Sequence, residues 1–148
     1  MHGGILLPAT SIPGNRGIGE LGADAVHFLD WLAAAGCGWW QVLPLGPTGF
    51  ADSPYQSFSS FAGNPYLIDL GDLIDSGLLG QDEVAAHPSW EDSQVDYATV
   101  VPWKTDLIDT AHSRLRSGAG PPDMEARLDA FTHREAWWLD DFTRFMAL

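Results

Sequence analysis

The stretch Trp39-Trp40-Gln41-Val42-Leu43-Pro44-Leu45 decides the fold class of this chain. It is a nearly continuous apolar run of strand length, which is typical of a strand buried on both faces of a parallel sheet. Core packing is therefore favoured over ligand stacking for both tryptophans. The residues on either side of this run show what the strand pairs with.

A shorter strand and a helix precede this run. Gly4 to Leu7 is an apolar segment closed by Pro8. From Glu20 to Gly36, apolar side chains recur at spacings of three and four residues, which predicts an amphipathic helix that ends at the glycine. Strand, helix and strand form a βαβ unit, whose crossover brings both strand ends to one edge of the sheet. Ligands bind at that edge in α/β folds.

Residues 46–65 form a long loop after the second strand. The groups in it that could bind a ligand are Asp52, Ser53, Tyr55, Gln56 and Ser57. This mixture suits sugars, because sugar hydroxyls need forked hydrogen-bond partners and sugar C–H faces stack on aromatic rings. An ordinary serine-rich turn whose aromatic rings anchor it to the core is the alternative. Loops of this length are usually functional or disordered, and the aromatic content argues against disorder.

The rest of the chain has mostly helical patterns. Tyr66 to Leu70 alternates as a short strand would, and residues 81–83 begin a short helix. A long helix is predicted from Asp96 onward, with Pro102 expected in its first turn, where the missing N–H costs little. A second long helical pattern continues to Leu148.

Composition limits the possible functions. Seven Lys and Arg against twenty Asp and Glu give a net charge of −13, which disfavours anionic partners such as nucleic acids and membrane surfaces. The histidines lack metal-ligand spacing, the glycines form no nucleotide-binding pattern and Cys37 is the single cysteine, so no metal, cofactor or disulfide is predicted. A signal-peptide pattern and a membrane-spanning apolar run are both missing, so the cytoplasm is the predicted location.

Four strings in the sequence resemble the opening region of amylomaltases, the disproportionating 4-α-glucanotransferases related to α-amylases. They are Gly3–Gly19 (GGILLPATSIPGNRGIG), Trp40–Gly49 (WQVLPLGPTG), Asp52–Pro65 (DSPYQSFSSFAGNP) and Arg134–Leu139 (REAWWL). The resemblance implies an α/β fold, a (β/α)₈ TIM barrel with a helical insertion. A barrel takes about 250 residues, so this chain is expected to hold an incomplete barrel. Residues 1–70 would be the opening βαβ unit, and residues 71–148 a mostly helical insertion truncated at its C-terminus.

The resemblance also implies a chemistry. Amylomaltases act without a cofactor on α-1,4-glucans such as maltooligosaccharides, amylose and dextrins derived from glycogen. A carboxylate nucleophile forms a covalent glycosyl-enzyme, and a sugar hydroxyl then replaces water as the acceptor. The catalytic carboxylates of the family lie on later strands, so none is assigned here and the chain alone is expected to be an inactive fragment. A non-catalytic glucan-binding module and a hydrolase of the α-amylase group are the alternatives.

Position by position, the resemblance assigns sugar binding to the 46–65 loop. Tyr55 matches the ring that stacks on the donor glucose. The residues that would shape its pocket or the adjacent subsite are Asp52, Ser53, Gln56 and Ser57. Phe50 stands where the family often has a Tyr linked to an auxiliary glucan site, which implies that such a site is weakened or absent. The segment Leu6–Ser11 lacks the His that the family commonly has there, so no role is assigned to it.

Overall fold

A small parallel sheet and the helix between its strands begin the chain. The computed structural model describes residues 3–91 and 93–148. Strand β1 (Gly4–Leu6) pairs with β2 (Trp39–Gln41) in parallel, and α1 (Ala23–Ala34) connects them. The helix ends where Gly36 adopts a φ of 73°, which favours glycine. The predicted βαβ unit is therefore present.

The second strand is shorter and less covered than the sequence predicts. Trp40 packs edge-on against Phe28 of α1, and its indole N–H donates to the Leu7 carbonyl at 2.9 Å. Trp39 is 73% exposed. The prediction of a strand buried on both faces, with both tryptophans in the core, is wrong for Trp39. Successive strand side chains point to opposite faces, and α1 covers only the face that carries Trp40.

Mostly helical structure follows the 46–65 loop. The later helices are α2 (Leu70–Asp75), α3 (Gln81–Ala85), α4 (Tyr97–Arg116) and α5 (Met124–Met146). The predicted short helix at residue 81 and both long helices are confirmed. The strand predicted over residues 66–70 is wrong, since Pro65–Leu67 is a 3₁₀ turn. The Asp69 carboxylate then accepts hydrogen bonds from the Gly71 and Asp72 amides and so begins α2.

Pro102 lies inside α4 and not in its first turn. A proline in a helix interior removes one backbone hydrogen bond and costs about 3 kcal/mol. The helix forms despite this cost because one of its faces is buried. The residues of that face are Val100, Lys104, Leu107, Ala111 and Leu115.

The described residues build two apolar cores. The first, beneath the βαβ unit, contains Ala9, Ile12, Ala25 and Leu67, with Leu7 and Trp40 packed against it. The second, among the later helices, contains Leu70, Leu78, Leu79, Val84, Leu107, Ala111 and Leu115. Neighbouring residues Leu67 and Leu70 thus belong to different cores. A domain boundary at residue 70 stays a prediction.

An ion pair joins α3 to α4. Arg114 donates to both Glu83 oxygens at 2.7 and 2.8 Å, and the Gly80 amide donates to the same carboxylate at 2.7 Å. The Arg114 guanidinium, and after it the Gly80 amide, lower the pKa of Glu83 from 4.5 to about 2. Because this pKa is lower in the folded state, the stabilisation from Glu83 is present above pH 4.5 and is lost as the pH falls towards 2.

Replacing Glu83 with Gln should remove this part of the acid dependence. We expect the wild type to melt at a higher temperature than Glu83→Gln near neutral pH, and the two melting temperatures to converge between pH 4.5 and 2. Thermal melts at stepped pH measure this. The matched control is Asp82→Asn, which removes the preceding carboxylate on α3 and leaves the pair of Arg114 with Glu83 intact. A Glu83→Gln curve that stays parallel to the wild type from neutral pH to pH 2 would refute the role of the pair.

Candidate functional site

The 46–65 loop lies at the carboxyl ends of both strands, where the sequence predicts a ligand site. A small depression there is lined by Pro8, Ala9 and Thr10 after β1 and by Leu43, Pro44 and Leu45 after β2. The loop contains 3₁₀ turns at Phe50–Asp52 and Pro54–Gln56. The Asn64 amide donates to the carbonyl of Leu45, in the segment that follows β2, at 2.7 Å. The two ends of the loop are therefore tied together beside the sheet edge.

Tight backbone packing shapes this loop. A Cβ added at Gly49 would lie 2.1 Å from the Gln56 carbonyl oxygen, so only glycine fits there. Ala51 and Asp52 have φ of 54° and 57°. This left-handed region costs a residue with a Cβ roughly 1–2 kcal/mol. Such strain is concentrated at functional sites, where the surrounding structure holds it in place.

Tyr55 lines an open cleft of about 540 Å³. The ring is 73% exposed. The polar and aromatic side chains that share the cleft with it are Ser57, Ser59, Ser60 and Phe61. Phe61 packs edge-to-face against Trp137 of α5, at 4.7 Å between ring centroids. An exposed ring beside several hydroxyls is an arrangement that can bind a sugar by stacking and hydrogen bonding.

The structure brings only some of the predicted site residues together. Tyr55 and Ser57 line the cleft, while Asp52 lines the adjoining depression together with Thr10 and Tyr97. Ser57 Oγ donates to the Ser59 carbonyl at 2.8 Å, so this hydroxyl also shapes the loop. Ser53 and Gln56 line neither space. Sugar contacts by these five residues stay a prediction.

Sequence reasoning missed a network of charged side chains that contacts residues 66–70, just after the loop. We call it the charge network, and its members are Arg16, Glu20, Asp69 and Lys104. Lys104 is 0% exposed, and its ammonium donates to the Tyr66 and Ile68 carbonyls at 2.6 and 2.8 Å. It also forms an ion pair with Glu20. Arg16 lies 2.7 Å from Glu20 and 3.3 Å from Asp69. The signal available in the sequence was a lysine inside the apolar stripe of a helix.

Electrostatics within the network follow from burial and pairing. Burial lowers the pKa of Lys104, and the attraction of Glu20 only partly opposes this. Burial alone would raise the pKa of Asp69, but the Asp72 and Gly71 amides and Arg16 together hold it below its usual value. A buried charge is costly unless its partners compensate for the lost hydration. The network therefore depends on all of its members being present.

The described part of the chain has neither a metal-binding cluster nor a helix that could span a membrane. Within residues 3–91 and 93–148, no three His, Cys, Asp or Glu side chains are grouped so that they could hold a metal ion. None of the helices described there combines the length and the apolar character needed to cross a membrane.

Comparison with known proteins identifies the family. The family model described as 4-alpha-glucanotransferase matches residues 7–148. The chain belongs to this family. The resemblance to amylomaltases drawn from the sequence is therefore confirmed.

Individual members of the 4-alpha-glucanotransferase family show how much of the length is shared. The chain is 49% identical over 145 residues to the 4-alpha-glucanotransferase of Thermus thermophilus, covering 98% of this chain and 28% of that protein. It is 42% identical to the chloroplastic/amyloplastic 4-alpha-glucanotransferase of Solanum tuberosum, covering 98% and 26%. The solved amylomaltase from Streptococcus agalactiae in complex with acarbose matches with a TM-score of 0.89 and 35% identity, covering 99% and 29%. The chain thus spans little more than a quarter of these relatives.

Proposed function

We propose that this chain supplies part of the glucan-binding surface of a 4-α-glucanotransferase. The enzyme would transfer α-1,4-glucan segments between maltooligosaccharides, amylose or dextrins derived from glycogen, with retention of configuration. The observation that carries the proposal is the exposed Tyr55 ring in a cleft at the carboxyl edge of the sheet, in a chain whose family match runs over residues 7–148. The acarbose bound to the related amylomaltase supports a sugar ligand.

The architecture in the proposal follows from the same family membership. Residues 1–70 would open a (β/α)₈ barrel, and residues 71–148 would form a helical insertion. The parallel pairing of β1 with β2 and the change of core between Leu67 and Leu70 support this division. A cytoplasmic location belongs to the same proposal.

The catalytic carboxylates are proposed to come from sequence outside these 148 residues. A retaining reaction uses two carboxyl groups about 5.5 Å apart that flank the scissile bond. Among the described residues, no Asp or Glu lines the Tyr55 cleft, and Asp52 is the single carboxylate of the adjoining depression. The chain by itself would therefore bind glucan without cleaving it.

Maltotriose incubated with the protein from the whole reading frame tests the proposal. Glucose together with maltotetraose and longer products would support transfer, because one maltotriose then accepts a segment from another. Glucose plus maltose alone would instead indicate a hydrolase of the α-amylase group. Saturable maltotriose binding without any product would indicate a glucan-binding module. Either of the last two results overturns the transferase proposal.

A further inference from the structure

Lys104 is one of three buried polar residues in the described chain, together with Glu20 and Asn64. Its ammonium donates hydrogen bonds to the Tyr66 and Ile68 carbonyls and forms an ion pair with the Glu20 carboxylate. Both hydrogen-bond acceptors are backbone atoms of the turn that follows the 46–65 loop. The lysine thus fixes a backbone position and does more than neutralise a carboxylate.

A continuous set of hydrogen bonds leads from Lys104 to the cleft. The turn held by Lys104 begins at Asn64, whose side chain accepts from the Tyr66 amide at 2.9 Å. The Asn64 amide donates to the Leu45 carbonyl at 2.7 Å. Leu45 lines the Tyr55 cleft, and Asn64 lines the depression that contains Asp52. The segment that closes the loop is therefore placed by a side chain of α4.

The loop between β1 and α1 also holds the residues that follow the 46–65 loop. Glu20 accepts from the Leu70 amide at 3.3 Å as well as from Arg16, and Arg16 contacts Asp69. A Cβ added at Gly22 would overlap the Asp69 carboxylate at 1.4 Å, so the two segments are in direct contact. The residues after the loop are thus held from the βαβ unit and from α4 together.

We propose that Lys104 is a positioning residue for the glucan-binding loop, acting through the Tyr66 and Ile68 carbonyls and Asn64 on the wall of the Tyr55 cleft. This inference rests on the proposed function. A buried apolar side chain in its place could fill the space, but it could not direct the two carbonyls. In some proteins a buried ionic or polar group specifies one arrangement of the chain.

The test separates positioning from stability with a double substitution. In Lys104→Met/Glu20→Gln, both charges of the buried pair are removed together and Arg16 keeps Asp69 as a partner, so we expect the variant to fold although the carbonyl contacts are lost. We expect the KM for maltotriose to rise about tenfold in the protein from the whole reading frame. The matched control is Arg114→Met/Glu83→Gln, another ion pair of α4 that also reaches a carbonyl, that of Leu78. The KM of this control should stay within twofold of the wild-type value.

Hydrogen exchange provides a readout independent of activity. Amides of residues 60–68 should exchange at least tenfold faster in Lys104→Met/Glu20→Gln, while those of α5 should be unchanged. If the wild type shows no transfer, the proposed function fails and the exchange result alone decides on positioning. A folded double variant with wild-type KM and wild-type exchange overturns the inference, as does a control that raises KM equally.

A milder variant covers the case in which the double variant does not fold. Asn64→Ala keeps Lys104, Glu20 and the backbone bond from residue 64 to the Leu45 carbonyl, but it removes the side-chain oxygen that accepts from the Tyr66 amide and orders the turn. It should raise KM in the same direction and speed exchange over residues 60–68. A wild-type KM and wild-type exchange in Asn64→Ala would overturn the inference.

Discussion

Replacing Tyr55 with alanine should lower kcat/KM for maltotriose transfer roughly 30-fold while the protein stays folded. The ring is 73% exposed, so its removal takes little from the apolar cores. Loss of an aromatic ring at the centre of a binding site costs about 2 kcal/mol. Since about 1.4 kcal/mol corresponds to a factor of ten, this gives the expected 30-fold change.

Initial rates of glucose release from maltotriose, with the protein from the whole reading frame, measure this effect. Tyr55→Phe keeps the ring and should retain most of the activity, which separates stacking from hydrogen bonding by the hydroxyl. Phe50→Ala is the matched control, because Phe50 is 82% exposed on the same loop but does not line the cleft. Equal losses in Tyr55→Ala and Phe50→Ala would point to general damage of the loop. An unchanged kcat/KM in Tyr55→Ala would rule out the stacking role.

The βαβ unit could be predicted from the sequence because each of its signals is local. The apolar spacing defines α1, and Gly36 adopts the positive φ that ends it. The exposure of Trp39 could not be predicted in the same way, since an apolar run does not say which faces of a strand are covered. The strand predicted over residues 66–70 failed for a related reason. Its alternation matched a strand, but Pro65 and the Asp69 cap favour a turn and a helix start.

In the candidate site, too, the local features could be predicted from the sequence and the long-range contacts could not. The 46–65 loop could be found because its carboxylate, hydroxyls and rings lie together in the sequence. The charge network could not, because Lys104 lies 38 residues from Tyr66 and the contact depends on how α4 packs. A lysine between Val100 and Leu107 on a buried helix face was still a usable signal. A long polar side chain in an apolar stripe must find partners, and those partners mark a structurally important point.

Replacing Lys104 alone with methionine should destabilise the protein by about 3–5 kcal/mol, the usual cost of removing one member of a buried ion pair. Methionine fills a similar volume, so the loss comes from electrostatics and hydrogen bonding and not from a cavity. The Tyr66 and Ile68 carbonyls lose their donor, and the Glu20 carboxylate loses its buried cationic partner. The Glu20 charge stays buried, with the partly exposed Arg16 and the Leu70 amide as its remaining partners.

Urea unfolding of the wild type and variants measures this loss. Arg114→Met is the control, because its ion pair with Glu83 is about 40% exposed and should contribute much less than the buried one. Adding Glu20→Gln to Lys104→Met should restore part of the stability, since a buried carboxylate that has lost its buried partner is then removed. A Lys104→Met variant no less stable than Arg114→Met would show that the buried charges contribute little. If Glu20→Gln restored nothing, the loss would lie in the two carbonyl contacts, and the positioning of the turn would then account for the whole effect.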